Sequence, residues 1–299
     1  MGPLWGVGDI VNQSTKIVKK TSSMSFRKAI STLITQVILM ILAALAIFPF
    51  LWMISTSLKG AEEAFSYPPN LLPKIFKWEN YKKAMTALPF GRAYFNSFKL
   101  AVTNVVGQVL TSAMAGYSLG KLKFRGHNVV FSAFIAVMMV PYTVISIPLF
   151  MMFSTMNLID THLAIILMTV AYMPMGVFMC RQFIMAIPDE LMEAGIIDGA
   201  NYGSMFFKIV IPLIKPALAS LGIFSFMWNW NSFYTPLIFL SSQENFTVPL
   251  LLNMFKGKYT VDWSLIMAAS TIAVIPVLVV YLFGQKYIIE GITITGMKS

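Results

Sequence analysis

The chain has 299 residues, 57% of them hydrophobic and only 11% charged, with a formal net charge of +10. Soluble domains carry roughly 25% charge, so this composition excludes one and places the chain in a membrane. The single cysteine excludes an intrachain disulfide and no CxxC or Cys/His cluster offers a metal site; the positive balance fits topology and anionic headgroups, and no basic stripe with interleaved aromatics points to nucleic acid.

Six windows lack Asp, Glu, Lys and Arg: Ala29–Leu58, Leu100–Gly120, Gly126–Ile159, Thr161–Cys180, Pro216–Gln243 and Trp263–Gln285. A spanning helix needs about 20 mainly apolar residues. Lipid leaves no water for backbone groups, so these windows predict six transmembrane helices, an all-α polytopic bundle. Three regions are expected: an N-terminal tail over 1–28, a membrane domain over 29–290 and a C-terminal tail over 291–299. The apolar run from about Leu33 continues through Trp52, too long for a signal peptide and readable as an uncleaved span.

Basic residues set the orientation. Lys16, Lys19, Lys20, Arg27 and Lys28 mark the first tail, and Lys121, Lys123 and Arg125 mark the loop after the second span. Both termini are therefore expected in the cytosol. The loop 59–99 dissents, with seven basic residues against Glu62, Glu63 and Glu79 on the outer side.

The second span carries Asn104, Gly107, Gln108, Ser112 and Gly116, a set of small and polar residues that suits close helix packing. Pro141 and Pro148 lie in the third window and predict kinks, either ordinary membrane prolines or bends that gate a cavity. The fifth window holds Trp228, Asn229, Trp230 and Asn231, then Phe233, Tyr234 and Pro236. Two amides near the middle of an apolar helix must face other helices or water. Aromatic faces beside amides suit a sugar, so Asn229, Trp230, Asn231 and Tyr234 are candidates for a translocation path; interhelical packing is the competing reading. No window contains Asp or Glu, which weighs against ion-coupled transport, and no G-x-x-x-x-G-K-[ST] loop provides ATP binding.

Between the fourth and fifth windows lies a charged island, Asp189–Pro212, inside a loop over 182–215 that the topology places in the cytosol. Asp189 and Glu190 suit a helix N-terminus, Gly199 suits a C-terminal cap, and Asn201 or Ser204 suits the cap of a second helix reaching Ile211. Two short helices at an angle follow. Leu191, Met192, Ile196 and Ile197 lie on more than one side of the first helix, which suits burial between the bundle and a second protein; an ordinary inter-span loop is the alternative.

The island resembles a known family. Membrane subunits of bacterial binding-protein-dependent ABC importers carry Glu-Ala-Ala, three residues, Gly, nine residues, Ile, one residue, Leu-Pro. This chain reads Glu193-Ala194-Gly195, Gly199, Ile209 and Ile211-Pro212 at that spacing, departing at Gly195 and Ile211. The run from Asn96 to Gly126, the WNWNSFYTPLIFL run and the closing EGITITGMKS also resemble the maltose-type sugar branch, in particular its smaller six-span permease.

The resemblance implies the type I importer permease fold in a bacterial inner membrane. It implies that Glu193, Ala194, Gly195, Asp198, Gly199, Ile209 and Pro212 couple the chain to an ATPase. It further implies a homologous second permease, two ATPase subunits holding ATP and magnesium, an extracytoplasmic solute-binding protein probed by the outer loop Ser241–Asp262, and a sugar substrate. The chain itself would bind no cofactor and catalyse no reaction. A non-sugar ABC importer and, further off, an ion-coupled transporter are the alternatives.

Overall fold

The computed structural model describes residues 7–255 and 262–296, with side chains for 28, 30–255 and 262–288. The chain divides into two units, the first ending at Ser55 and the second beginning at Thr56.

The first unit is almost entirely one helix, α1, Val7–Ser57, whose stretch Ile30–Ser57 is apolar on every side and long enough to cross a bilayer. The tail expected over 1–28 is continuous with this span from Val7 onward.

In the second unit, α2 (Ala61–Ala64) and α3 (Glu79–Ala87) lead into α4, Phe90–Lys121. At 32 residues α4 reaches roughly 48 Å, ample for the hydrocarbon core. Its polar residues keep it from counting as apolar, because they face inward: Asn96, Ser97, Asn104, Gln108 and Ser112 are all buried. α4 is the hub, packing on α7 (His162–Ala171), α8 (Pro174–Met185) and α12 (Lys215–Trp230). Gly107, Gly116 and Gly176 make these approaches possible. A Cβ at Gly116 would lie 2.7 Å from Cys180 Cβ and 2.8 Å from the Arg181 amide nitrogen, so only a hydrogen fits.

The third window is not one kinked helix. α5 (His127–Met138) and α6 (Tyr142–Thr155) meet at 100°. Pro141 caps α6 with ψ 132°, because the residue is extended and cannot donate to a carbonyl behind it. Pro148 lies inside α6. Pro174 opens α8, yet α7 and α8 together still form one crossing, His162–Met185. After the island come α12, α13 (Tyr234–Phe239), α14 (Val248–Met254) and α15, Trp263–Gly296, apolar enough to cross over Trp263–Ile288. The tail expected from 291 is helical through Gly296.

Three helices are thus long and apolar enough to span, or up to five among the described residues if each bent pair is one span. Six crossings are not contradicted: α4 is long enough to be another, though it is not among those apolar enough. No strand occurs among the described residues.

Candidate functional site

Two features of the second unit carry the sequence-derived candidates. The first is the island. Pro188 precedes α9, Asp189–Ile197, whose first turn holds Asp189 and Glu190 at the positive end of the helix. Lys121 Nζ, at the end of α4, donates to Asp189 Oδ1 and to the Ile187 carbonyl, each at 2.5 Å. The hydrogen bond from Lys121, and then its charge, hold the Asp189 carboxyl below the usual aspartate range. α9 ends in a Schellman turn: the Gly199 amide donates to Ile196 O at 3.0 Å and the Ala200 amide to Gly195 O at 2.9 Å, with Gly199 at φ 77°.

Asn201 then caps α10 (Tyr202–Met205), its Oδ1 accepting from the Ser204 amide at 2.8 Å. A π-helical stretch, Phe206–Val210, runs into α11, Ile211–Leu213, and the chain bends 79° into α12. The two arms close on Gly195, where a Cβ would sit 3.0 Å from Ile209 Cδ1 and 3.5 Å from Met205 Sδ. Gly195 and Ile209, two positions of the spaced pattern, therefore touch. Met192 and Gly195 face inward, onto a core with Met205, Phe206 and Val210. Glu193, Ala194, Ile197, Asp198 and Gly199 face outward, as does Pro212 beyond them; Ile197 is 85% exposed. α9 thus has a seated side and a free side.

The second feature is a cavity of about 880 Å³ between α5, α6, α7, α8, α12 and α13, with Gln108 of α4 on its wall. Its wall carries Tyr142, Tyr172, Trp228, Phe233 and Tyr234, five methionines including Met168 and Met227, and the amides of Gln108 and Asn231, with no ionisable carboxylate or basic side chain. Tyr142 and Tyr234 meet edge to face at 5.9 Å, Tyr234 Oη lies 3.2 Å from Ser146 Oγ, and Thr235 Oγ1 donates to Tyr142 Oη at 3.3 Å.

The four path candidates separate here. Asn231 and Tyr234 are on the cavity wall. Trp230 is not: it is buried against Phe226 and Tyr94, and its Nε1 donates to Ala273 O at 3.0 Å, which ties α12 to α15. Asn229 is committed to neighbouring helices and borders only a crevice of about 40 Å³. Its Oδ1 accepts from Asn104 Nδ2 at 2.8 Å, and its Nδ2 donates to Gln108 Oε1 at 3.1 Å and Ser225 O at 2.8 Å. Ser225 Oγ also donates to Gln108 Oε1, and Gln108 Nε2 donates to Thr169 O at 3.0 Å. Nor are the asparagines at mid-helix; α12 ends at Trp230 and Asn231 is its C-cap. The methionines and Tyr172 were missed by sequence reading, since nothing in an apolar run distinguishes a cavity wall from a lipid face.

Gln108→Leu keeps the volume and removes the node. It is expected to lower stability by about 1–2 kcal/mol, the upper range for interhelical hydrogen bonds in membranes, seen as an earlier thermal midpoint in detergent.

A clasp holds the opposite end of the bundle. Asp160, at φ 61°, accepts from the Ser241 and Ser242 amides at 3.0 Å each, from Ser242 Oγ, and from Asn245 Nδ2. Burial alone would raise this carboxyl, but the Ser242 hydroxyl and amide, the Ser241 amide and Asn245 together hold it well below the usual range. The stabilisation is therefore fully present above the ordinary aspartate range and is lost only as pH falls through the depressed value. Asp160→Asn, which tolerates the positive φ, is expected to speed amide exchange at Ser241 and Ser242 at pH 7, whereas the parent stays protected at pH 4. The outer loop expected over Ser241–Asp262 is described except for 256–261, which lie outside the described residues.

A membrane bundle of this order, with a charged loop of two capped helices and an uncharged cavity, fits a permease. The comparisons agree. Residues 108–294 match the family of binding-protein-dependent transport system inner membrane components. Inner membrane ABC transporter permease protein YcjP of Escherichia coli K12 is 34% identical over 85% of this chain and 92% of its own. Arabinooligosaccharides transport system permease protein AraQ of Bacillus subtilis is 34% identical over 87% and 93%. A bacterial ABC transporter involved in the import of the acidic polysaccharide alginate contains a chain of the same fold, with TM-score 0.76, 22% identity, and coverage of 96% of this chain and 99% of that one. The chain belongs to the binding-protein-dependent transport system inner membrane component family and has the ABC type I importer permease fold. It is a membrane transport subunit, not an enzyme.

Proposed function

We propose that this chain is the permease subunit of an ATP-driven importer that moves an oligosaccharide delivered by an extracytoplasmic solute-binding protein. The observation that carries the sugar reading is the cavity: flat aromatic rings that cover C–H faces, amides and hydroxyls that bond hydroxyl groups, and no charge. Asn231 and Tyr234 are the candidates of the sequence reading that border it, and the 100° break at Pro141 shapes its edge, with Pro148 about two turns further on. The names of AraQ and of the alginate transporter point to the same substrate class.

A homologous second permease completes the pathway. Two ATPase subunits bind ATP and magnesium, and this chain binds neither. The free side of α9, bearing Glu193, Ala194 and Asp198, seats in an ATPase, while Gly195, Gly199, Ile209 and Pro212 fix its angle to the bundle. Both termini and the loop 182–215 face the cytosol.

The test is ATPase activity of the complex copurified from native membrane, with its binding protein, across sugars, amino acids and peptides. Stimulation by an oligosaccharide is expected. Stimulation by an amino acid or peptide alone defeats the sugar reading, and uptake by the purified chain on an ion gradient without ATP defeats the importer reading.

A further inference from the structure

The loop with seven basic residues on the expected outer side is unexplained by transport, and its first part, between Lys59 and Asn80, leaves its large apolar side chains uncovered. Buried polar groups close its two ends. Lys59 is 2% exposed and its Nζ donates to Asn70 O at 2.6 Å. Asn80, also buried, donates from Nδ2 to Ser57 O and Lys59 O, each at 2.8 Å. The Lys77 amide donates to Leu58 O at 2.9 Å and closes the loop on itself. The Lys74 amide donates to Glu63 Oε1 at 2.8 Å. The apolar side chains point out: Tyr67 is 96% exposed, Leu72 73% and Trp78 68%, with Phe65 and Ile75 similar. Phe76, Trp78 and Tyr81 stack in series at 6.5 and 6.4 Å, which stiffens the edge they form.

A loop facing water buries its apolar groups and exposes its polar ones. This one leaves Phe65, Tyr67, Leu72, Ile75 and Trp78 exposed together, so something less polar than water covers them. Two facts on the chain identify the cover as lipid headgroup and upper acyl chain. The loop begins where the span Ile30–Ser57 stops and ends where α4 starts, so both of its ends are tethered at a membrane face. Tyr and Trp with interspersed lysines, here exposed Lys74, Lys77 and Lys82, are the chemistry of the bilayer interface.

We propose that residues 60–78 form an interfacial anchor, with the aromatic and aliphatic side chains in the headgroup–acyl boundary and the lysines at the phosphates. This goes beyond the transport reading and uses the topology only to name the leaflet, the outer one.

The test places a nitroxide at Tyr67→Cys and, separately, Leu72→Cys, in the complete complex in nanodiscs containing phosphatidylglycerol. Both positions are exposed, so labelling leaves folding intact, and the native Cys180 is buried and unlabelled, as a parent control shows. The expected result is more frequent collision with oxygen than with a water-soluble nickel chelate at both sites. Collision dominated by nickel places the loop in water and overturns the anchor. Suppression of both places it under a protein partner and overturns it equally. A membrane-impermeant thiol reagent reports the leaflet separately: interfacial labels reached only from the inside refute the topology and leave the anchor standing.

Discussion

Replacing Gly116 by alanine is expected to separate α4 from α8 and destabilise the bundle more than any single hydrogen-bond deletion. The added methyl would lie 2.7 Å from Cys180 Cβ, 2.8 Å from the Arg181 amide nitrogen and 3.1 Å from the Cys180 carbonyl carbon. Two of those three atoms are backbone, so no rotamer change relieves the contact and α8 itself must shift. Overpacking of this kind costs about 1–3 kcal/mol even where side chains can move, and here they cannot. The shift also strains the neighbouring approaches, since Gly176 of α8 lies against Ser112 on the same faces and Gly107 lies against Val170 of α7, which leads into α8. It further loosens the tie from Arg181 Nε to Leu119 O, now 3.1 Å long. Melting followed by size exclusion in detergent should show Gly116→Ala well below the parent. Gly91→Ala, in the same helix but with open space around the new methyl, should equal or slightly exceed it, because alanine favours helix by about 1 kcal/mol. A parent-like Gly116→Ala would mean that the α4–α8 contact is looser than this geometry.

That packing was legible because small and polar residues inside an apolar helix have few other uses. Gly107, Gln108, Ser112 and Gly116 lie on one hub helix, and the structure uses them for close approach and for the Gln108–Asn229 node. The island was legible for a similar reason: Asp189, Gly199 and Asn201 each satisfy a helix end in a way that few residues can, and their chemistry fixes boundaries that apolar periodicity leaves open. What was not legible lies where every residue is apolar. The third window reads as one span because nothing polar marks its 100° turn, and a single proline is as compatible with a kink as with a break. The position of Asn229 and Asn231 at the end of α12 depended on a helix stop after Trp230 that carries neither glycine nor proline. The cavity wall was hidden in the same way: methionine faces lipid, core and ligand alike, so Met138, Met168 and Met227 gave no signal that several helices converge on them.

The largest functional effect is expected from the turn after α9. Gly199→Pro should abolish uptake while the chain still inserts and the bundle still forms. At φ 77° the position lies in the left-handed region, which proline cannot enter, and proline also removes the amide that donates to Ile196 O. No atom lies within 4 Å of a Cβ at Gly199, so steric crowding plays no part and the effect is confined to the path of the backbone. Gly199→Ala then serves as the graded case, costing roughly 1–2 kcal/mol for the left-handed conformation and lowering uptake without ending it. Glu193→Lys tests the free side of the same helix by a different route. Glu193 is exposed, so reversing its charge should change stability by no more than about 0.5 kcal/mol, yet uptake and ATPase recovery on copurification should both fall. If Glu193→Lys transports at the parent rate with its ATPase bound, the free side of α9 is not the coupling surface. If Gly199→Pro does so, the angle between α9 and the helix that follows it does not transmit the stroke.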